Sequence, residues 1–241
     1  MEYDLTHKTV LITGSTDGLG REIALLLAAK NTKIIVHGKS QEKADKIISE
    51  LQKINPNGEF SSLICDFSEP QNISDKFSQI KSLDILINNA GIWTEGNTID
   101  ATPSKIIELT NVNLIAPMII SQTLIPVLLK SDFGQLLNVI SIAGVEIPFD
   151  YYHSIYSGTK FGLAGFTESL IKEFDNKNLR IMGIYPGGMS TNLFDSAGIH
   201  YDPNESWMFD PKESAESILF MLTRDPEVNI KRLDLINHLQ K

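Results

Sequence analysis

The sequence predicts an α/β protein: a doubly wound parallel sheet of seven strands, helices on both faces, in one domain spanning residues 1–241. Three observations carry this. Short β-branched runs alternate with longer stretches at helical spacing, which is the pattern of a parallel sheet. The short runs are almost continuously apolar, as strands buried on both faces must be. No repeat, low-complexity segment or Pro/Gly/Ser linker divides the 241 residues.

The strands, in order, are expected at residues 9–13, 33–37, 60–65, 84–88, 135–140, 180–185 and 228–235. The helices between them are expected at 18–30, 41–54, 71–80, 103–130, 153–176 and 211–223. In such sheets ligands sit beyond the C-terminal ends of the strands. Every chemically suggestive residue of this chain lies at one of those ends or on the helix that follows.

Composition narrows the function. Hydrophobic residues make up 42% and charged residues 21%, an ordinary globular balance. The single cysteine, Cys65, excludes an intrachain disulfide and fits a reducing, cytoplasmic setting. The net charge of −9, with no Lys/Arg cluster, argues against nucleic acid or anionic membrane as a partner. The longest uninterrupted apolar runs, 23–29 and 114–120, are far shorter than the ~20 residues of a membrane span. The N-terminus has no basic region followed by an apolar stretch, so no signal peptide is expected. No metal-ligand cluster is expected either.

The first strand runs into Thr13-Gly14-Ser15-Thr16-Asp17-Gly18-Leu19-Gly20 and then a helix. Gly14 permits a tight turn, Gly18 lets the backbone approach a pyrophosphate, and Gly20 lets helix pack close on strand. The amides and dipole of the helix start attract phosphate. An accidental glycine-rich turn is the bland alternative. It would place this pattern by chance at the one junction where it has mechanical meaning.

Tyr156 and Lys160 stand four apart near the start of a predicted helix and share one face. A free tyrosine, with a pKa near ~10, shuttles protons poorly at neutral pH. A nearby ammonium favours the phenolate and is expected to pull that pKa down. The phenol could then give a proton to a carbonyl oxygen or take one from an alcohol. The alternative is a surface Tyr packed on a Lys stem. Ser141 ends the strand before this helix. Asn113 lies inside the long helix after Thr102, where asparagine is a mediocre residue.

The glycine turn resembles the cofactor motif of the short-chain dehydrogenases/reductases, in their common single-domain Tyr-x-x-x-Lys subgroup. Four further motifs agree in order: Asn88-Asn89-Ala90-Gly91, Asn113, Ser141 with Tyr156 and Lys160, and Pro186-Gly187. The resemblance covers essentially the whole chain. It implies a Rossmann-type sheet binding NAD(H) or NADP(H). It makes Tyr156 the proton-transferring residue, Lys160 its partner and a ribose contact, and Ser141 the hydrogen-bond partner of the reacting oxygen. It makes Asn113 the support of a water that links the lysine to solvent. Asn111 rivals Asn113, but Val112-Asn113 reproduces the family's local pattern.

The resemblance also assigns cofactor contacts beyond Gly14–Gly20. Asn89, Ala90 and Gly91 line the ribose and nicotinamide side. Asp66, beside Phe67, meets the adenine amino group. Pro186 and Gly187 end the sixth strand, where the backbone of Met189 and the hydroxyl of Thr191 meet the carboxamide. The second strand bears on NAD against NADP, because an NAD enzyme places an acid at its end. Here the acid position is Gly38, followed by Lys39 and Ser40, so NADP(H) is expected, with NAD(H) as the alternative. Asp17, an acid inside the glycine turn, counts the other way.

The step from Ser141 to Tyr156 is two residues longer than the family's usual one. The extra length falls around 148–153, in the loop over the site. Tyr151 and Tyr152 there are either substrate contacts or exposed loop aromatics.

Three segments should line the pocket mouth: 82–104, 131–159 and 181–211. None contains Lys or Arg. They carry aromatics such as Trp93, Phe194, Tyr201 and Trp207 and acids such as Glu95, with about half of the aromatics expected to pack the lid instead. Anion recognition usually needs Arg or Lys, so the expected small-molecule substrate is a neutral, largely apolar carbonyl compound or secondary alcohol. Residues 192–210 are expected to form a lid over it.

The leading reading is an NADP(H)-dependent carbonyl reductase or alcohol dehydrogenase. An NAD-dependent alcohol dehydrogenase, a 3-oxoacyl-carrier-protein reductase and a cofactor-binding regulator without catalysis are the alternatives. A homodimer through the two long helices is expected rather than a tetramer, because the C-terminal residues are charged and lack glycine.

Overall fold

The computed structural model describes residues 3–147 and 153–238. Seven parallel strands form one sheet: β1 (Thr9–Ile12), β2 (Lys33–Gly38), β3 (Phe60–Ile64), β4 (Ile85–Asn88), β5 (Gly134–Val139), β6 (Leu179–Pro186) and β7 (Arg232–Leu235). Their spatial order is β3-β2-β1-β4-β5-β6-β7. The order reverses between β1 and β4, and that crevice is where a doubly wound sheet opens to a ligand.

Alternation along the strands sends side chains to two separate cores. Val10, Ile12, Ile34 and Val36 face one layer. There they meet α1 (Gly18–Ala28), α2 (Gln41–Ile54) and, further along the sheet, α7 (Pro211–Leu222). Leu11, Leu86, Leu136 and Ile181 face the other. That layer holds α3 (Ile73–Phe77), α5 (Ala116–Leu128) and α6 (Ser154–Glu173), while α4 (Pro103–Thr110) leads into it. Strands apolar on both faces are therefore a direct consequence of helices on both faces.

Three expected elements differ. The helix expected at 71–80 is a 3₁₀ turn, Pro70–Asn72, followed by one short helix, because the chain turns back at Ser78, whose hydroxyl donates to the Asp75 carbonyl. The last strand begins at Arg232, not at 228, because the Val228 amide closes a turn onto Asp225 and its carbonyl is held by the Arg180 guanidinium. The long helix after Thr102 is continuous but takes a π turn at Asn111–Ile115 between α4 and α5. Joined this way, Pro103–Leu128 is 26 residues and apolar enough to span a membrane by length and composition. The apolar run at 114–120 is one part of this longer helix. Half of its most apolar window is buried in the fold, where it packs beside α3 and β4.

Between β4, β5 and α6 runs a buried polar chain. Asn88 donates through Nδ2 to Asn138 Oδ1 (2.9 Å) and to Ser121 Oγ (3.2 Å), and Asn138 donates to Thr167 Oγ1 (2.8 Å). All four residues are at most 3% exposed. This chain fixes α6, which carries Tyr156 and Lys160, against the strand that delivers Ser141. Replacing Asn138 with Ala leaves the Asn88 donor and Thr167 hydroxyl buried without this partner. The expected cost is about 3 kcal/mol, read as a lower denaturant midpoint at unchanged m-value.

Candidate active site

The C-terminal strand ends open into one cleft of about 600 Å³ that runs from the end of β2 to the 192–210 segment. At one end, β1 breaks off into a left-handed Gly14 (φ +63°). A methyl group there would lie 2.8 Å from Ala90 Cα, and one on Gly20 would lie 2.3 Å from the Gly14 carbonyl oxygen. Neither position accepts a side chain. Asn89 clamps the turn, its Nδ2 donating to the carbonyls of Thr13 (2.9 Å) and Gly14 (3.1 Å). The Thr13 hydroxyl takes the amides of Asn89 (2.9 Å) and Ala90 (3.0 Å).

Asp17 caps α1 by accepting the Gly18 amide (2.8 Å), and its other oxygen takes Asn192 Nδ2 (2.9 Å). Helix geometry leaves the Leu19 and Gly20 amides without intrahelical acceptors. Phosphate fits such a helix start. The acid inside the glycine turn is thus engaged in holding the turn and the segment opposite.

The wall beside β2 is made by Gly38, Lys39, Lys43, Asp66 and Phe67. A methyl on Gly38 would lie 2.6 Å from Thr16 Cγ2. Lys39 Nζ stands 3.8 Å from Asp66 Oδ2 and is well exposed. Ser40 and Ser15, expected as contacts, are not in the wall. Ser40 caps α2 through the Lys43 amide (3.4 Å), and Ser15 Oγ takes the His37 amide (3.0 Å). Sequence reasoning missed His37 and Lys43. Lys43 lies one turn into α2, three residues beyond its Ser40 cap, which is a legible signal. His37 is buried in a strand and gave none.

At the other end Ser141, Tyr156 and Lys160 converge. Ser141 sits where β5 runs out, its Oγ accepting the Ala143 amide (3.2 Å). Tyr156 and Lys160, one turn apart on α6, are both buried yet border the cleft. Lys160 Nζ lies 5.7 Å from the Tyr156 ring centre and donates to the Val139 carbonyl (3.2 Å).

The expected lowering of the tyrosine pKa is corrected here. Burial pushes the Tyr156 phenol up to about 12, opposed only by its hydrogen bond to Ser141. Burial also brings the Lys160 ammonium down to about 8. Desolvation outweighs their mutual influence because both groups are sealed between α6 and β5. The protein chain alone thus holds the phenol protonated.

Asn113 is fully buried and does not border the cleft. Its Oδ1 takes the Ile92 amide (2.9 Å), and its Nδ2 donates to the Ile92 carbonyl (2.9 Å) and to Thr159 Oγ1 (3.3 Å). It therefore staples the loop after β4 to α6. Gly91 lies between, a methyl on it falling 3.4 Å from Asn113 Oδ1 and 3.7 Å from Lys160 Nζ. The rival Asn111 points elsewhere, donating to the Ser68 carbonyl (3.1 Å).

Residues 8–201 match the sequence profile of the family described as short chain dehydrogenase. The chain belongs to the short-chain dehydrogenase family. It is an oxidoreductase of that family. An uncharacterized oxidoreductase of Staphylococcus aureus is 27% identical over 237 residues, covering 95% of this chain and 96% of that one. A 3-oxoacyl-[acyl-carrier-protein] reductase of Aquifex aeolicus is 31% identical over 196 residues, 80% of this chain and 78% of the relative. An alcohol dehydrogenase from the archaeon Thermococcus sibiricus, solved with 5-hydroxy-NADP, superposes with a TM-score of 0.87 at 21% identity, over 98% of each chain.

The end of the cleft beside the 192–210 segment is walled by Trp93, Glu95, His153, Leu193, Phe194, Tyr201 and Trp207. Trp93 meets Tyr156 edge-on, ring centres 4.4 Å apart, and Phe194 at 5.2 Å. Phe194, Tyr201 and Trp207 pack edge to face with one another. Tyr201 donates to Glu95 Oε2 (2.6 Å) from across the mouth. Of the expected mouth residues, Val145, Ile147, Ile199, Met208 and Phe209 do not border the cleft, while Phe149, Tyr151 and Tyr152 lie outside the described residues. Among the described residues bordering the cleft, the lysines are Lys39, Lys43 and Lys160, and there is no arginine.

Proposed function

We propose that this protein is an NADP(H)-dependent carbonyl reductase or alcohol dehydrogenase for neutral, largely apolar substrates. The observation that carries the reading is the meeting of Ser141, Tyr156 and Lys160 in one cleft with the glycine turn. The cofactor, when bound, supplies or accepts the hydride. The protein supplies the proton and the geometry. Gly14, Thr16 and the amides of Leu19 and Gly20 hold the phosphates, Asp66 and Phe67 the adenine, and Asn89, Ala90 and Gly91 the nicotinamide side. Pro186, Gly187, Met189 and Thr191 close the far wall.

Tyr156, kept protonated by burial, donates to the substrate oxygen during reduction and takes the proton back during oxidation. Ser141 orients that oxygen. Lys160 stabilises the phenolate as it forms, and Asn113 keeps the loop after β4 in place. NADP(H) over NAD(H) is supported by the absence of an acid at Gly38 and by Lys39 and Lys43 on the same wall. Asp17, the contrary signal, is engaged with Gly18 and Asn192. In a screen of carbonyl compounds with NADPH and NADH run in parallel, wild type oxidises NADPH faster. Tyr156→Phe loses at least about 10³-fold in kcat while still binding NADPH. Substantial residual turnover removes Tyr156 from its role, and tight dinucleotide binding without any turnover by wild type favours a regulator.

Substrate class follows from the cation-poor mouth. Burying a carboxylate there would leave it facing Glu95 rather than an arginine, whereas Trp93, Phe194 and Trp207 offer about 25 cal/mol per Å² of apolar surface covered. Residues 192–210 act as the lid. A neutral aromatic or alicyclic ketone is expected to exceed a size-matched keto acid in kcat/KM by about tenfold or more, about 1.4 kcal/mol. The reverse ranking ends this assignment. The Aquifex relative favours a second reading, 3-oxoacyl-carrier-protein reduction. The net charge of −9 opposes docking of an acidic carrier, and turnover of a carrier-linked substrate above the free ketone would decide for it.

A homodimer through α4–α5 and α6 is part of the same reading. Ile107 (58% exposed) and Phe161 (41%) stand out from these helices. Gly158 and Gly165 on α6 face open space, which lets another helix approach closely. Sedimentation at micromolar concentration is expected to give the mass of two chains. A mass of one or four counts against it.

A further inference from the structure

His37 lies at the end of β2 with its ring sealed inside the fold, 2% exposed. Its ring nitrogens face two backbone groups of opposite character. Nδ1 is 3.0 Å from the Gly14 amide, which can only donate. Nε2 is 3.1 Å from the Cys65 carbonyl, which can only accept. These partners dictate the tautomer: Nε2 carries the proton and Nδ1 is a bare acceptor. An imidazolium would set two N–H groups face to face at Gly14.

The backbone of His37 is tied to the same turn. Its amide donates to Ser15 Oγ (3.0 Å) and its carbonyl takes the Ser15 amide (3.0 Å). The ring stacks on Phe67, centres 4.3 Å apart and 14° from parallel. Burial holds the ring neutral, its pKa lowered to about 4, with Asp66 and Lys76 acting on it in opposite senses. One side chain thus joins the left-handed glycine that starts the phosphate turn to the floor of the adenine side.

We propose that His37 is a positioning residue for the dinucleotide: as the neutral Nε2–H tautomer it fixes Gly14 and Phe67 in one arrangement, so that the turn is already shaped for phosphate before the cofactor arrives. This rests on the cofactor reading above. Without the Nδ1 acceptor, the half-buried Gly14 amide loses its partner, and the turn gains by relaxing toward solvent. Asparagine can return an acceptor oxygen to the Nδ1 place. Glutamine reaches the Nε2 place instead and keeps only the Cys65 bond.

The test measures NADPH affinity directly, by fluorescence enhancement on binding, for wild type, His37→Gln and His37→Asn, with the melting temperature of each ligand-free protein alongside. His37→Gln is expected to bind at least about tenfold more weakly, and His37→Asn to recover most of that loss at a similar melting temperature. Equal affinities for wild type and His37→Gln overturn the proposal, as does loss in both variants that simply follows the melting temperature. Because a variant can fail to fold, wild type is also examined by nitrogen-15 NMR at neutral pH. The Nε2–H tautomer and a slowly exchanging Gly14 amide are expected. An Nδ1–H tautomer or an imidazolium overturns the proposal while leaving the cofactor reading intact. Wild type that binds neither NADPH nor NADH ends both.

Discussion

The Thr13 hydroxyl is the fixed point of this molecule. It accepts the amides of Asn89 and Ala90 and lies 3.4 Å from the Ile87 carbonyl, so one oxygen locks the end of β1 to the end of β4. Those strands flank the crevice where the sheet order reverses. The lock decides how closely Gly14 approaches Ala90 and Gly20 approaches Gly14, and hence where the helix start points its amides. It also sets the root of the loop that carries Gly91, Ile92 and Trp93, so both ends of the cleft refer to it.

From that point the fold arranges polar groups where burial would ordinarily forbid them. Tyr156 and Lys160 are almost inaccessible, and desolvation moves each toward its neutral form. The phenol is protonated at neutral pH in the folded and the unfolded chain alike, so the cost to stability falls on the Lys160 ammonium, whose pKa burial lowers to about 8. The buried amide chain through Asn88, Asn138 and Thr167 offsets part of the cost by fixing α6 in one register. Asn113 serves the same end from the other side, holding the backbone of Ile92 on both its donor and its acceptor.

The 192–210 segment is tied across the cleft at two places. Asn192 reaches Asp17 at the cofactor end, and Tyr201 reaches Glu95 at the mouth. Between them Phe194 and Trp207 form a small aromatic core of their own, joined to the main body through Trp93 and Tyr156. Both polar ties are exposed to solvent, where a single hydrogen bond contributes about 1 kcal/mol. The backbone at the end of the segment is held as well, Asn237 donating to the Met208 carbonyl and the Phe209 amide to the Gly188 carbonyl.

The sequence by itself determined the architecture and the placement of its motifs. Strand apolarity, helical spacing and glycine placement are local properties, and each one agrees with the global fold. That is why the strand ends carrying Gly14, Asn89, Ser141 and Pro186 were legible residue by residue. Choosing Asn113 over Asn111 was likewise a local matter of pattern. Only the tertiary structure decided the rest, because it depends on distances between segments far apart in the chain. The upward shift of Tyr156 comes from burial that no four-residue spacing reveals. The engagement of Ser15, Ser40 and Asp17 in holding backbone, rather than facing the cleft alone, follows from which amides lie nearby. His37 read as an ordinary strand residue until Gly14, 23 positions earlier, and Cys65, 28 later, were brought to its two nitrogens. The helix expected at 103–130 is there, but the π turn at Asn111–Ile115 inside it was not legible from spacing, because which carbonyls accept across a wider ring is decided by how the helix packs.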